Sequence, residues 1–360
     1  MHHLDCDRLA AIGLGETLAA RARAAATTLG ASDVALLRIT VVHRFGLELS
    51  DGVRTFAARA VPRLLRGTAE ALAVGDWVLA TPDGGGDLWV HERVAPTSRI
   101  CRRDADGGVH AIVSNVDHAL LVMGLDDDFN PRRLERYLAL AAASDVQPLV
   151  VLTKADLFAA DPQSRERILA QLRKRLPADV AIVAVDATAA RSAAAFAHLD
   201  RPGLTLVALG SSGAGKSTLT NTLLGAAVQD TGAARVHDGR GMHTTTARSL
   251  HRLPGGGCIV DTPGVRTLRP DADGDALLAS FADVGALAAR CRFRDCAHHG
   301  EPGCAVQAGV DADRLRNYHK LLREQRRDAI SWVERRQQVA AWKSRGKQAR
   351  ARMRVKRGDE

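Results

Sequence analysis

The chain has 360 residues, 46% of them hydrophobic and 25% charged, ordinary values for a globular protein with room for two or three separate cores. No apolar run approaches the length of a membrane span, which excludes a helical membrane protein, and the formal net charge of +9 favours a polyanionic partner. The opening Met1-His2-His3-Leu4-Asp5-Cys6 carries acid early and lacks the basic-then-apolar order of a signal peptide, so a cytoplasmic protein is expected.

Residues 1–33 are rich in Ala and Arg, with Leu9, Ile12, Leu18 and Leu29 at loosely helical intervals, and read as a helical N-terminal extension. From Val34 the pattern changes to short alternating strands punctuated by turn signals such as Ser50-Asp51-Gly52 and Asp83-Gly84-Gly85-Gly86. This predicts a small β-barrel of the oligonucleotide-binding type over 34–113. Arg38, Arg44, Arg54, Arg59, Arg63 and Arg66 fall there with Phe45 and Phe56 interleaved. Such a surface suits RNA, although a solvated basic face over an aromatic core reads equally well.

After Asn115 the pattern becomes α/β. His118–Met123, Leu149–Leu152, Val180–Val185 and Leu204–Leu209 read as buried strands, and Asn130-Pro131 supplies a cap and first residue for an intervening helix. Alternating strands and helices predict a largely parallel sheet covered on both faces, over 114–275. The last strand enters Gly210-Ser211-Ser212-Gly213-Ala214-Gly215-Lys216-Ser217, a GxxxxGKS phosphate-binding loop. Its glycines let successive N–H groups line one concavity at a helix N-terminus. Lys216 is expected to meet the β- and γ-phosphates, and the Ser217 hydroxyl to ligate Mg²⁺.

Thr153-Lys154-Ala155-Asp156 ends an earlier strand and resembles the guanine-specificity motif of GTPases, usually Asn-Lys-x-Asp. Asp156 can accept hydrogen bonds from the N1–H and amine of guanine, a pair of donors that adenine lacks. Thr153 replaces the usual Asn, which predicts a looser hold on the base and loss of the amide that braces the phosphate loop. The Asp186-Ala187 turn matches only partly the Ser-Ala pair that meets the guanine carbonyl. Downstream, Asp261-Thr262-Pro263-Gly264 is a DxxG element: Asp261 would hold Mg²⁺ through water and Gly264 would contact the γ-phosphate. Gly241-Met242-His243-Thr244-Thr245-Thr246 has the character of a first switch loop, with Thr245 closing over Mg²⁺ and His243 as a water-orienting group or base. Val265 stands where many GTPases carry a water-orienting Gln, which predicts slow intrinsic turnover. Because the guanine motif precedes the phosphate loop, the domain is circularly permuted.

Six cysteines occur, three of them scattered (Cys6, Cys101, Cys258), whereas Cys291, Cys296 and Cys304 lie within fourteen residues together with His298. Three thiolates and an imidazole suit a closed tetrahedral Zn²⁺ site of structural type, with His299 as a competing ligand. A helical zinc-binding domain is expected over 276–330. The tail 331–360 carries Lys343, Arg345, Lys347, Arg350, Arg352, Arg354, Lys356 and Arg357, a single-signed run suited to RNA phosphates.

Together these motifs resemble the ribosome small-subunit-dependent GTPase A family over residues 34–330. The resemblance implies a GTP/GDP-binding enzyme with one structural zinc and Mg²⁺ bound with GTP. It further implies hydrolysis stimulated by the small ribosomal subunit, contact with its rRNA, and a monomer acting late in subunit maturation. It assigns Lys216, Ser217, Thr245 and Asp261 to phosphate and Mg²⁺ handling and places His243 where the family has a candidate catalytic histidine. Two other readings stand beside it: a nucleotide-gated RNA-binding scaffold whose hydrolysis is incidental, and an ATPase.

Overall fold

The computed structural model describes residues 5–30, 34–43, 46–61, 64, 71–103, 108–227, 248–262 and 274–328. The first switch loop with His243 and Thr245, Gly264 and Val265, and the tail 329–360 lie outside the described residues, as do Arg44, Phe45, Arg63 and Arg66. Among the described residues no helix is long and apolar enough to cross a membrane.

The alternating segment after Val34 forms β1 (Ala35–Val42), β2 (Leu47–Ser50), β3 (Thr55–Ala60), β4 (Trp77–Pro82) and β5 (Leu88–Arg93). These pair in the order β1-β2-β3-β5-β4, with β3 and β5 parallel, and β4 returns to β1 through Ala35↔Ala80 to Arg38↔Trp77. Closure removes both open edges, which makes the sheet a five-stranded barrel. Leu37, Ile39, Leu49, Val78 and Val90 fill it. The barrel is complete at Arg93; β6 (Arg99–Arg103) and β7 (Val109–Ser114), expected within it, form a separate two-stranded hairpin.

The next strands are β8 (His118–Gly124), β9 (Gln147–Thr153), β10 (Ala181–Ala184), β11 (Thr205–Leu209), β12 (Ser249–Arg252) and β13 (Cys258–Asp261). They pair in the order β10-β9-β8-β11-β13-β12, all parallel except β12. Because both faces are covered, these strands are near-continuous apolar runs. Leu121 and Met123 of β8 face one core with Leu134 and Leu138 of the Pro131–Ala143 helix, and Leu120 and Val122 face the other with Leu219 and Leu223 of the Lys216–Leu224 helix. The Pro131–Ala143 helix starts as its sequence requires, the Asn130 side chain accepting from the Arg133 N–H at 3.1 Å and Pro131 following the cap. A bridge between Val41 and Ser249 joins the barrel to this sheet.

The C-terminal helices, chiefly Ala282–Ala288 and Ala312–Asp328, pack a further core of Phe281, Val284, Val306, Leu315 and Tyr318 against Ala139 of the Pro131–Ala143 helix. Charge fastens the contact. Glu135, 1% exposed, accepts from Arg175 Nε and Arg314 Nη1 at 2.9 Å each and from Asn317 Nδ2 at 2.5 Å, while Arg314 also donates to Asp283 at 2.7 Å. A carboxylate so deeply buried is tolerated because its charge is matched and its lone pairs are used.

Two expectations change. The N-terminal segment is no appendage: the helices Cys6–Ala10 and Glu16–Leu29 place Leu9, Ile12, Leu14, Leu18 and Ala22 in the main core. Arg38 faces no RNA. It is 0% exposed, and its guanidinium donates to the carbonyls of Ile12, of Gly75 at 3.3 Å and of Asn115 at 3.1 Å, with Trp77 5.5 Å away. Burial pulls its pKa down, opposed by Cys258, Asp117 and Asp76. Since the three carbonyls belong to the turn between the N-terminal helices, the barrel and the entry to the α/β domain, Arg38→Met should cost about 3 kcal/mol in stability. Urea unfolding with an unchanged midpoint would contradict this.

Candidate nucleotide site and metal centre

The phosphate loop bridges the end of β11 and the Lys216–Leu224 helix, at the carboxyl edge of the parallel strands where open α/β sheets bind ligands. Two glycines show why the loop has its composition. A Cβ on Gly210 would stand 2.4 Å from the Val122 carbonyl, and Gly215 has a φ of +87° with Thr153 side-chain atoms 3.2–3.4 Å from where its Cβ would be. The helix ends at Gly225 in the left-handed conformation that a glycine cap permits.

Lys216 is buried, and its Nζ donates to the Ser211 carbonyl at 2.6 Å. Burial lowers its pKa, and Asp261 and Asp128 oppose that shift. Asp261 ends β13, next to β11, and burial raises its pKa against the pull of Lys216. Its Oδ1 is buried with no hydrogen-bond partner among the described residues. An orphaned carboxylate oxygen beside a phosphate loop fits a hydrated cation, since a buried polar atom is otherwise costly. Ser217 is the second residue of the loop's helix. The remaining loop residues, Ser212, Gly213 and Ala214, complete the turn, Ala214 being fully buried.

The guanine-motif residues leave β9 toward the same edge. Thr153 is buried and Asp156 is exposed. Contrary to the expectation from its sequence, Thr153 does brace the phosphate loop: its hydroxyl donates to the Ala214 carbonyl at 2.7 Å. Threonine therefore keeps this function of the usual Asn through a shorter side chain. Lys154 has a left-handed φ of +60° and pairs with Asp126, while the Ala155 N–H donates to the Val185 carbonyl at 3.2 Å. The Asp186-Ala187 turn is tied by Thr188 to the Asp186 carboxylate at 2.6 Å and by Thr222 of the loop's helix to the Ala187 carbonyl at 2.6 Å.

Asp126, Asp128 and Arg133 were not legible as site residues. Asp128 Oδ1 accepts from the Ser211 hydroxyl at 2.5 Å, so the loop after β8 touches the phosphate loop directly. The only signal in sequence was a polar run, Asp126-Asp127-Asp128, between a strand and a capped helix.

In the C-terminal region the donor atoms of Cys291, Cys296, His298 and Cys304 all lie within 4.8 Å of one another. Cys291 and Cys304 sulfurs are 3.9 Å apart and stand 3.7 and 3.5 Å from His298 Nδ1. A tetrahedron with metal bonds of about 2.3 Å to sulfur and about 2.0 Å to nitrogen has edges of about 3.8 and 3.5 Å, so the cage fits a four-coordinate ion. His298 is presented by a left-handed φ of +60°. Its carbonyl accepts from Gln307 Nε2 and pairs with His319 Nε2, both at 3.2 Å. His299 instead stacks on His319, ring centroids 3.9 Å apart, which leaves His298 as the imidazole in the cluster. Glu301 closes the turn by accepting from Ala297 N–H at 2.9 Å and His299 N–H at 2.7 Å.

The Thr153 brace is testable. Thr153→Val should weaken guanine-nucleotide binding about fivefold, the worth of one neutral hydrogen bond, while Thr153→Ser retains the hydroxyl and the affinity. Equal affinity of the two variants in a fluorescent-nucleotide titration would contradict the assignment.

With this geometry in hand, comparison with known proteins is specific. A family model described as RsgA GTPase matches residues 92–270. Curated relatives named small ribosomal subunit biogenesis GTPase RsgA, from Xanthomonas campestris pv. campestris (strain B100) and Xanthomonas axonopodis pv. citri (strain 306), are each 44% identical to it. The matches run over 296 and 299 residues and cover 79% and 80% of this chain, with the same shares of the relatives. Among solved structures, YjeQ from Thermotoga maritima has a TM-score of 0.59 at 22% identity, over 81% of this chain and 98% of that one. YloQ, described as a circularly permuted GTPase, has a TM-score of 0.56 at 22% identity, over 82% of this chain and 96% of that one. These two share the fold, and the permuted order that the YloQ description names is the one found here, with the guanine-motif strand β9 preceding the phosphate-loop strand β11. The extent and identity of the curated matches place the chain in the RsgA GTPase family.

Proposed function

We propose that this GTPase couples GTP hydrolysis to late maturation of the small ribosomal subunit, binding rRNA and turning over faster on the subunit than alone. The observation that carries the reading is a buried Lys216 opening the helix after the phosphate loop and a buried Asp261 ending β13, each favouring the other's charged form, with the Asp261 Oδ1 lacking a hydrogen-bond partner among the described residues. The ribosomal context comes from relatives named for small-subunit biogenesis.

In this reading the backbone of Gly210 to Gly215 cradles the phosphates, Lys216 balances their charge, and Asp156 selects guanine. Ser217, Asp261 and Thr245 would hold Mg²⁺, which would neutralise negative charge on the phosphates. Gly264 registers the γ-phosphate, and His243 orients water in place of the Gln that Val265 replaces. Zinc is the ion assigned to the Cys291, Cys296, His298 and Cys304 cage, with a structural role, because all four positions are filled by protein. The segments divide the work: 34–113 and the basic tail 331–360 for RNA, 114–275 for nucleotide, 276–330 for the metal domain. On the barrel, Arg59 is exposed beside Asp87, and Arg54 is exposed with its guanidinium 5.3 Å from the Phe56 ring, an arrangement suited to a base or phosphate. The protein is assigned to the cytoplasm as a monomer.

Two measurements test this. GTP turnover should rise on adding purified small subunits, and the stimulation should fall across a salt series because the docking is electrostatic. Turnover indifferent to the subunit would favour the nucleotide-gated scaffold, and ATP competing with GDP as well as GTP does would favour an ATPase. Elemental analysis should find one zinc per chain, and Cys304→Ser should lose it together with the fold of the C-terminal domain. Full retention of zinc by that variant would refute the cage.

A further inference from the structure

The loop after β8 places an acid, Asp128, against the phosphate loop, and the helix that follows places a base, Arg133, on that acid. Asp128 Oδ1 accepts both from the Ser211 hydroxyl and from the Arg133 guanidinium, each at 2.5 Å, and its Oδ2 accepts from the Gly124 N–H at 3.2 Å. Arg133 also donates to the Asp128 carbonyl. Both side chains are largely shielded, at 26% and 14% exposure for Arg133 and Asp128. The arrangement is built by the helix start: Asn130 caps it and Pro131 follows, so Arg133 sits in the first turn, where side chains lean back toward the N-terminus and Asp128. The same Ser211 presents its carbonyl to Lys216 Nζ at 2.6 Å. Lys216 consequently feels both partners, Asp128 favouring its charged form and Arg133 opposing it.

A carboxylate in this position is adverse to a polyanion, and Arg133 on the same oxygen cancels it. GTP carries more negative charge than GDP, and the difference is located at the γ-phosphate. We infer that the Asp128–Arg133 pair is a specificity-determining charge balance that sets the relative affinity of the site for GTP and GDP. The inference rests on the nucleotide-site reading above. Arg133 touches no phosphate in this scheme; it acts by compensating Asp128, and Asp128 acts by holding Ser211 without adding net charge. Removing either partner alone exposes the charge of the other. Removing both charges restores the balance.

The experiment measures dissociation constants for GDP and for a non-hydrolysable GTP analogue, in Mg²⁺ at low ionic strength, for the full chain and three variants. Arg133→Gln leaves Asp128 uncompensated and should shift the ratio of affinities toward GDP by about fivefold. Asp128→Asn keeps a carbonyl oxygen for Ser211, leaves Arg133 uncompensated, and should shift the ratio toward the GTP analogue by about the same factor. The double variant should return to within about twofold of the parent, and both single shifts should shrink as salt is raised. A merely structural role would weaken both nucleotides together and leave the ratio alone. Single variants that shift the ratio in the same direction, or by less than about twofold, overturn the inference, as does a double variant that fails to return. If Arg133→Gln does not fold, Asp128→Asn and its salt dependence carry the comparison. Failure of the parent chain to bind either nucleotide is the distinguishable outcome that removes the site reading itself.

Discussion

Arg38 holds together three parts of the chain that are far apart in sequence. Its guanidinium reaches the carbonyls of Ile12, Gly75 and Asn115, which lie in the N-terminal segment, the barrel and the link into the α/β domain. No carboxylate accepts directly from it among the described residues; Asp117 and Asp76 act at longer range. Backbone dipoles thus solvate a fully buried cation, an arrangement that only an arginine's fork of donors can satisfy. The neighbouring turns are shaped around it, since a Cβ on Gly13 or Gly75 would run into the guanidinium or the Ser114 carbonyl. Register between barrel and nucleotide domain depends on this junction, because among the described residues the strands of the two meet across a single bridge, Val41–Ser249.

From that junction the architecture runs toward the C-terminal domain through one helix. Pro131–Ala143 buries Leu134 and Leu138 against the sheet and offers Arg132, Glu135 and Arg136 to Asp313, Arg314 and Glu324 of the last described helix. Its first turn carries Arg133, which touches the loop that holds Ser211. The phosphate loop, through Asp128, and the C-terminal domain are therefore both tied to the same rigid element. The buried charges on it fix a single docking geometry, since any displacement would leave Glu135 or Arg314 unpaired at low dielectric.

The phosphate loop is held from two sides, by Asp128 at Ser211 and by Thr153 at Ala214. This explains how the departure from Asn at position 153 is tolerated. The brace needs a hydroxyl or amide donor at the end of β9, and close approach of Gly215 lets a short side chain reach. The cluster of Cys291, Cys296, His298 and Cys304 is likewise made by local backbone, a left-handed His298 and a Glu301 that gathers loop amides, and its spacing in sequence was accordingly readable.

The chain by itself determined whatever depends on contiguous residues. Strand patterns, the Asn130-Pro131 cap, the phosphate loop, the order of the nucleotide motifs and the Cys-Cys-His-Cys spacing are local, and local chemistry constrains them directly. Tertiary structure alone decided the rest. An arginine in an alternating strand reads the same whether it faces solvent or three distant carbonyls, so Arg38 read equally as an RNA contact or a solvated face, and it is core. The Ala-rich start read as an appendage because its apolar partners lie on strands far along the chain. Asp128, Arg133 and Glu135 gained their roles from neighbours as far as 182 residues away, such as Asn317 for Glu135. Charge pairing at that separation leaves no periodicity in sequence, and only the packed fold reveals which charge each one meets.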